Sequence, residues 1–168
     1  TSVLTLINNK GVDTSNVNEV YFVDLNNTTA YTNPSEAPKV TFLADTPKAT
    51  FTAQDGGTIE TWTDENKLYI GQESGVKLGP SAAYLFGTEE EENLNVIDMS
   101  GADLSGVTDM NSMFNGCYKL TSLDVSNFNT SKVTDMGYMF QNCTNLTSIY
   151  LSNFITSEVK NMRNMFYS

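Results

Sequence analysis

Histidine is absent from this sequence of 168 residues, and only two cysteines and one tryptophan occur. Without histidine, neither a Ser-His-Asp nor a Cys-His catalytic arrangement can form. Zinc sites usually require histidine or four cysteines, so zinc is also disfavoured. No GxGxxG or Walker A motif is present. These absences predict a protein that is not an enzyme and that holds no cofactor and no metal.

Carboxylates are the remaining candidates for catalytic residues, since a pair of them can catalyse the hydrolysis of a glycosidic bond. The pairs Asp98/Asp124 and Asp109/Asp135 recur at a fixed spacing, however, and are interpreted as strand-surface and helix-start residues. The acidic run Glu89–Glu92 lacks the spacing of a calcium-binding EF-hand and is interpreted as a solvated loop.

Basic residues are few: nine Lys and Arg stand against 20 Asp and Glu, for a formal net charge of −11. Nucleic acid is therefore an unlikely partner, because phosphate binding requires clustered basic residues. No apolar run approaches the roughly 18 residues of a membrane span, so membrane insertion is not expected. Asn, Thr and Ser supply most of the polarity, which suits an exposed extracellular protein.

A 26-residue period runs through positions 94–168 of the chain. A fixed period of this size is typical of units that bury their apolar faces only by stacking on one another. The positions that keep the period are Leu94/Leu120/Leu146, Ile97/Leu123/Ile149, Val107/Val133/Val159, Met110/Met136/Met162, Met113/Met139/Met165 and Phe114/Phe140/Phe166.

Two hydrophobic spacings meet within each unit. Leu120, Leu123 and Val125 follow the spacing of a short strand, whereas the apolar residues from Val133 to Cys143 recur at helical intervals. The predicted fold class is therefore an α/β leucine-rich-repeat-like solenoid, with a strand plus a helix per 26-residue repeat, preceded by a small antiparallel β segment. The predicted domains are a β-rich cap over residues 1–80 and the array over 81–168. The array divides into a half-unit at 81–93, repeats at 94–119 and 120–145, and an incomplete repeat at 146–168.

Strand and turn signals mark residues 1–71. The turns are predicted at Asp64-Glu65-Asn66 and at Gln54–Gly57, and residues 26–38 are interpreted as a loop or linker. Trp62, Phe42 and Phe51 are expected in or near the core of this segment. The predicted strands are Val3–Ile7, Glu19–Leu25, Lys39–Ala44, Ala49–Ala53, Thr58–Thr63 and Lys67–Gly71.

The two cysteines, Cys117 and Cys143, occupy the same position of successive repeats. A disulfide needs Cβ atoms about 3.8 Å apart, whereas stacked helices lie roughly 8–10 Å apart at their axes. The spacing therefore favours two buried free thiols over a disulfide.

The run from Leu120 to Met136, followed by Met139-Phe140-Gln141-Asn142-Cys143, resembles the BspA-like leucine-rich repeats of bacterial surface proteins, which also occur in mycoplasma-type lipoproteins. The resemblance covers residues 94–168 well and Lys67–Phe86 more loosely. It implies a secreted or cell-surface bacterial protein, linked by analogy with adhesion to host or matrix components. The start at Thr1 is consistent with a removed leader. Because the sequence stops within the third repeat, either a fragment of a longer protein or an array closed by another element is expected.

The outward positions of the predicted strands are the candidate binding surface. Leu123 and Val125 are expected to point inward, so their neighbours should point outward by strand alternation. The candidate ligand-binding residues are Asp98, Ser122, Asp124, Ser126, Ser148, Tyr150 and Ser152, with Val96 and Ser100 beside them. Tyr150 is the only aromatic residue among them.

The leading hypothesis is a non-enzymatic adhesin that binds a host or matrix protein, or a glycan, through this face. One alternative is a structural spacer that presents another module. A second is a glycan-binding accessory module, which needs Trp62 and nearby tyrosines on an exposed platform. Self-association through the uncapped C-terminal repeat is also left open.

Overall fold

The structure is a computed structural model that describes residues 2–25, 57–87 and 93–168, together with the backbone of 48–52. In chain order its helices and strands are α1 Val3–Asn8, β1 Glu19–Asp24, β2 Lys48–Thr52, β3 Thr58–Asp64, β4 Lys67–Gln72, β5 Val76–Lys77, β6 Val96–Asp98 and β7 Ala102–Asp103.

Five of these strands form one mixed sheet in the order β2-β3-β4-β1-β6, and β5 pairs with β7 in parallel. The expectation of an antiparallel segment is wrong, because β1 lies between β4 and β6 and runs parallel to both. The antiparallel part is confined to β2, β3 and β4. The turn predicted between β3 and β4 is confirmed, and Glu65 adopts a left-handed φ of 53° there.

The two faces of β1 pack against different partners because successive side chains point to opposite sides of a sheet. Val20 and Phe22 are buried in the main hydrophobic core. On the other face, Val23 joins a smaller cluster with Trp62 and Tyr69. The prediction that Trp62 is a core residue is confirmed.

The other predictions for residues 1–71 had mixed outcomes. Val3–Ile7 is not a strand but most of helix α1, which Ser2 caps by accepting a hydrogen bond from the Thr5 N–H. The predicted strands at residues 19–25, 49–53, 58–63 and 67–71 correspond to β1–β4 within a residue or two.

Several predictions fall mainly or wholly outside the described residues. They are the strand Lys39–Ala44, the loop 26–38, the turn Gln54–Gly57, the solvated loop Glu89–Glu92 and the core positions of the Phe42 and Phe51 side chains.

The prediction of a strand-plus-helix solenoid is wrong. Within residues 93–168 the structure contains no helix, and the short α1 is the only one in the described part of the chain. The described structure is mainly mixed sheet and turns. Where the helical spacing predicted a helix, the backbone forms a series of turns over 111–116, 137–142 and 163–166.

A left-handed residue at one position of every unit explains why no helix forms. Tyr84, Ser112, Tyr138 and Asn164 have φ values between 52° and 58°, which a right-handed helix cannot accommodate. Successive N–H groups then point alternately into their own unit and toward the next unit. The Met113 N–H bonds locally to the Met110 carbonyl, whereas the Ser112 N–H bonds to the Gly137 carbonyl of the next unit.

These hydrogen bonds between units form a regular ladder. The N–H groups of Ser112, Phe114 and Gly116 donate to the carbonyls of Gly137, Met139 and Gln141, each at 2.9 Å. The next pair of units repeats the pattern. An α-helix would direct these N–H groups to carbonyls four residues back and leave none for the neighbouring unit. Bonding between units therefore replaces the helix.

The burial that the helical spacing predicted is nevertheless correct. Met110, Met113, Phe114 and Cys117 are all fully buried. One phenylalanine from each unit joins a stack of near-parallel rings whose successive centroids lie 5.5 Å apart. The stack consists of Phe86, Phe114, Phe140 and Phe166.

The strand expected in each unit is present only in the first, as β6, which has β1 beside it. Residues 120–125 form no strand, although Leu123 and Val125 are buried as predicted.

The prediction of two buried free thiols is confirmed. The Cys143 thiol donates to the Phe114 carbonyl at 3.1 Å. Burial raises the pKa of the Cys143 thiol to about 11.

Packing is continuous across residue 80. β6 extends the sheet beside β1, and β7 pairs with β5. Phe22 of β1 meets Phe86 edge to face at 6.1 Å. The division into two domains at residue 80 stays a prediction.

Candidate ligand-binding grooves

The stacked units have two sides with different bonding. The ladder side, residues 109–117, 135–142 and 161–167, carries the regular hydrogen bonds between units. The groove side is made of residues 95–100, 122–127 and 148–153, and it contains all the predicted site residues.

Two open grooves, each of about 370 Å³, lie next to each other on the groove side. The first groove runs between residues 95–100 and 122–127, and the second runs between 122–126 and 150–153. The structure therefore brings six of the seven predicted site residues together. Asp98, Ser122, Asp124 and Ser126 line the first groove, and Ser122, Asp124, Ser126, Tyr150 and Ser152 line the second. Ser148 is exposed but lines neither.

The grooves exist because the backbone does not bridge the units here. In the part of the chain that the structure describes, no backbone hydrogen bond joins residues 122–126 to 95–100 or to 148–153. Asparagine side chains provide the connection instead. The Asn127 amide donates to the Met99 carbonyl at 2.8 Å, and the Asn153 amide donates to the carbonyls of Val125, Ser126 and Phe128 at 2.9–3.3 Å.

Sequence reasoning missed these two asparagines, although both line the grooves. They hold the same repeat position, each between a serine and a phenylalanine. This recurrence was the sequence signal that could have identified the two asparagines. Because the amide group reaches carbonyls of the preceding unit, each asparagine fixes the separation of two groove walls.

The two aspartates of the grooves also have a structural role. The Oδ1 atoms of Asp98 and Asp124 accept hydrogen bonds from the N–H groups of Ser100 and Ser126, at 2.8 and 2.9 Å. Such bonds from an aspartate to the backbone two residues later stabilise turns. Hydrogen bonds from the side chain and the backbone of Ser126 lower the pKa of Asp124. Asp124 is therefore ionised at neutral pH.

Tyr150 occupies the position that Asp98 and Asp124 hold in the other units. Its side chain is 85% exposed, which is the highest value among the large hydrophobic residues of the described chain. At the same position of the inner units, Asp124 is also exposed and Asp98 is half-buried. Tyr150 thus places an aromatic ring in water at the wall of the second groove.

Trp62 lies in a different environment from Tyr150. It is only 5% exposed and stacks on Tyr69 with ring centroids 5.3 Å apart. In this conformation a sugar ring cannot stack on its indole.

The last repeat exposes apolar side chains that inner repeats bury. Phe166 is 55% exposed, whereas its counterpart Phe140 is 3% exposed. Met162 is also half exposed, and its counterpart Met136 is buried. Self-association through this repeat stays a prediction.

Two features are absent from the described residues. No helix in this part of the chain has the length and apolar character needed to cross a membrane. No group of three or more Cys, Asp or Glu side chains converges there in a way that could hold a metal ion.

Stacked 26-residue units joined by backbone hydrogen bonds, with grooves on one side, define a repeat protein. Residues 81–168 match the family described as "Mycoplasma protein of unknown function, DUF285". The match covers just over half of the sequence, and the chain belongs to this family. The mycoplasma-type resemblance of the repeats is confirmed at this level. No curated protein and no solved structure matches the chain.

Proposed function

We propose that the protein is a non-enzymatic ligand-binding module of a bacterial cell surface and that it acts in adhesion through the groove side. The observation that carries the proposal is Tyr150, whose ring stands exposed at the wall of an open groove. The resemblance of residues 94–168 to the repeats of BspA-like surface proteins supports both the location and the adhesive role.

The groove side has the composition of a recognition surface. Tyrosine is enriched at the points where protein interfaces concentrate their binding energy. Around Tyr150, the hydroxyl groups of Ser122, Ser126 and Ser152 offer hydrogen bonds. The Asp124 carboxylate, also in this groove, adds an ionised acceptor. An aromatic anchor with polar groups around it is the usual anatomy of a binding site.

Binding of the protein to an array of host matrix proteins and glycans tests the proposal. The test variant combines Tyr150→Ala with Asp124→Asn, since asparagine can keep the turn bond to Ser126. Asn129 already makes the equivalent bond to the Ser131 N–H in this chain. The matched control combines Tyr118→Ala with Asp103→Asn. Tyr118 is exposed, Asp103 makes the same turn bond to Ser105, and neither residue lines a groove.

Saturable binding that the control variant keeps and the test variant loses would support the proposal. Binding that both variants keep would place the ligand elsewhere on the molecule.

A structural spacer is the second candidate, because Asp98 and Asp124 cap turns and need no ligand to explain them. The outward row of the first two units contains only serine and aspartate apart from Val96. A spacer predicts a well-folded monomer that binds nothing on the array. The alternative of a glycan-binding accessory module required an exposed Trp62, but Trp62 is buried.

A further inference from the structure

The walls of both grooves carry charge of one sign. Asp98 and Asp124 line the first groove, and Asp124 lines the second beside Tyr150. No Lys or Arg is among the lining residues of either groove. Because like charges on a concave wall reinforce each other, the grooves attract cations and repel anionic ligands. The net charge of −11 acts in the same direction.

The groove walls also present unpaired backbone. Within the described residues, no N–H group from Thr121 to Val125 donates a hydrogen bond to another backbone or side-chain acceptor. An extended peptide can pair with such groups by adding alongside them. Five wall residues, such as Ser122–Ser126, span about 16 Å and so accommodate about five residues of an extended peptide.

We propose that the occupant of the grooves is an extended polypeptide segment rich in Lys or Arg. In the first groove its basic groups pair with the carboxylates of Asp98 and Asp124. In the second groove one basic group pairs with Asp124 and another basic side chain lies over the Tyr150 ring. Arginine pairs with carboxylates through two parallel hydrogen bonds, and cations are attracted to the face of an aromatic ring. This inference rests on the proposed function, because it names the partner class of the same grooves.

Charge complementarity is the reason to favour a basic peptide over a glycan. A neutral glycan can donate hydroxyl hydrogen bonds to these carboxylates but forms no ion pair with them, and a sulfated or sialylated glycan is repelled by them.

Fluorescence anisotropy with three labelled probes tests the inference. The probes are a 12-residue peptide of alternating Lys and Ser, the matching peptide of alternating Glu and Ser, and the neutral oligosaccharide maltoheptaose. The test variant is Asp98→Asn with Asp124→Asn, which removes two charges from the grooves. The matched control is Asp13→Asn with Asp103→Asn, because both of these aspartates make the same turn bond and line neither groove.

The Lys-Ser peptide should bind saturably to the unaltered protein, and added salt should weaken the binding. The test variant should bind it about three- to tenfold more weakly, as expected for the loss of two exposed ion pairs. The control variant, which has the same net charge, should bind like the unaltered protein. The Glu-Ser peptide should not bind.

Equal losses in the two variants would overturn the inference, because binding would then follow net charge alone. Binding of maltoheptaose without binding of the Lys-Ser peptide would also overturn it, while the proposed function would stand. If no probe binds but the array shows a ligand that depends on Tyr150, only the partner class is wrong. If the array is empty as well, both proposals fail.

Discussion

The ladder side and the groove side belong to the same units but differ in how those units are joined. On the ladder side, backbone N–H groups of one unit donate to carbonyls of the next at every second residue. On the groove side, the links are the side chains of Asn127 and Asn153. Backbone bonding holds neighbouring units close on one side, and its absence leaves open grooves on the other.

Because of this difference, we expect the ladder side to determine the stability of the protein and the groove side to determine ligand binding. The ladder side is backed by the phenylalanine stack and by buried methionines, so substitutions there should affect folding. The groove side carries polar residues and Tyr150 at exposed positions, so substitutions there should affect binding. Repeat proteins can thus vary a binding surface at little cost in stability.

The largest expected effect comes from the phenylalanine stack. Replacing Phe114 by alanine should reduce the free energy of unfolding by about 3–5 kcal/mol, because the fully buried ring leaves a cavity between Phe86 and Phe140. Phe166→Ala is the matched control: it occupies the same repeat position but is 55% exposed, so its loss should be much smaller. Urea denaturation measures both, and equal losses would contradict the stack as a source of stability.

The next largest effect is expected on the reactivity of the Cys143 thiol. With a pKa of about 11 against an ordinary 9.0, Cys143 should hold roughly a hundredfold less thiolate at pH 8 than a free cysteine and react correspondingly slowly with a disulfide reagent. Because the pKa is higher in the folded state, this thiol stabilises the fold below pH 9, and the contribution is lost as pH rises from 9 to 11. Fast labelling of Cys143 before unfolding would contradict its burial.

Burial also raises the pKa values of Tyr21 and Tyr69. Their contribution has the same sign as that of Cys143, so alkaline unfolding should begin above the ordinary tyrosine pKa of 10.0. Urea midpoints measured from pH 8 to pH 11 should therefore fall steadily at the upper end of this range.

An intermediate effect is expected on the groove side at Asn153. Asn153→Ala should cost about 1–3 kcal/mol, because the carbonyls of Val125, Ser126 and Phe128 lose the Asn153 donor and, within the described part of the chain, only that of Val125 keeps a bond to a backbone N–H. Asn145→Ala removes a single exposed bond, to the Tyr118 carbonyl, and should cost less. Ligand binding should weaken with Asn153→Ala alone, since this residue lines the second groove. Comparable destabilisation by the two variants would rule out Asn153 as the link between units.

The smallest effect on stability should come from the groove wall itself. Tyr150→Ala should change the free energy of unfolding by less than about 0.5 kcal/mol, because the ring is 85% exposed. Thermal unfolding of this variant, compared with that of Phe114→Ala, checks whether the buried stack contributes to stability and the groove wall does not. A destabilisation of several kcal/mol would mean that Tyr150 supports the fold.

The sequence predicted which repeat residues are buried but not the backbone that buries them. The spacing of Met110, Met113, Phe114 and Cys117 fits a helix and also fits a turn with one left-handed residue. Choosing between the two depends on hydrogen bonds to a neighbouring unit, which local spacing does not report. Hydrophobic periodicity therefore indicated the core and misassigned the secondary structure.

The groove residues were predicted from strand alternation, although two of the three expected strands are absent. Ser122, Asp124 and Ser126 are exposed as expected because Leu123 and Val125 are buried, whereas ligand binding by these residues stays a prediction. Asn127 and Asn153 were missed because their role lies in contacts with carbonyls 25–28 residues away. The parallel pairing of β1 with β4 and β6 was missed for the same reason, since partners distant in sequence decide it.

Amide hydrogen exchange of the free protein is the most direct test of the difference between the two sides. The N–H groups of Ser112, Phe114 and Gly116, which bond to the next unit, should exchange slowly. Those of Ser122 and Asp124, on the wall of the grooves, should exchange orders of magnitude faster once each rate is divided by its unfolded-chain value. Equal protection on the two sides would contradict the account, because it would mean that backbone bonds also close the groove side.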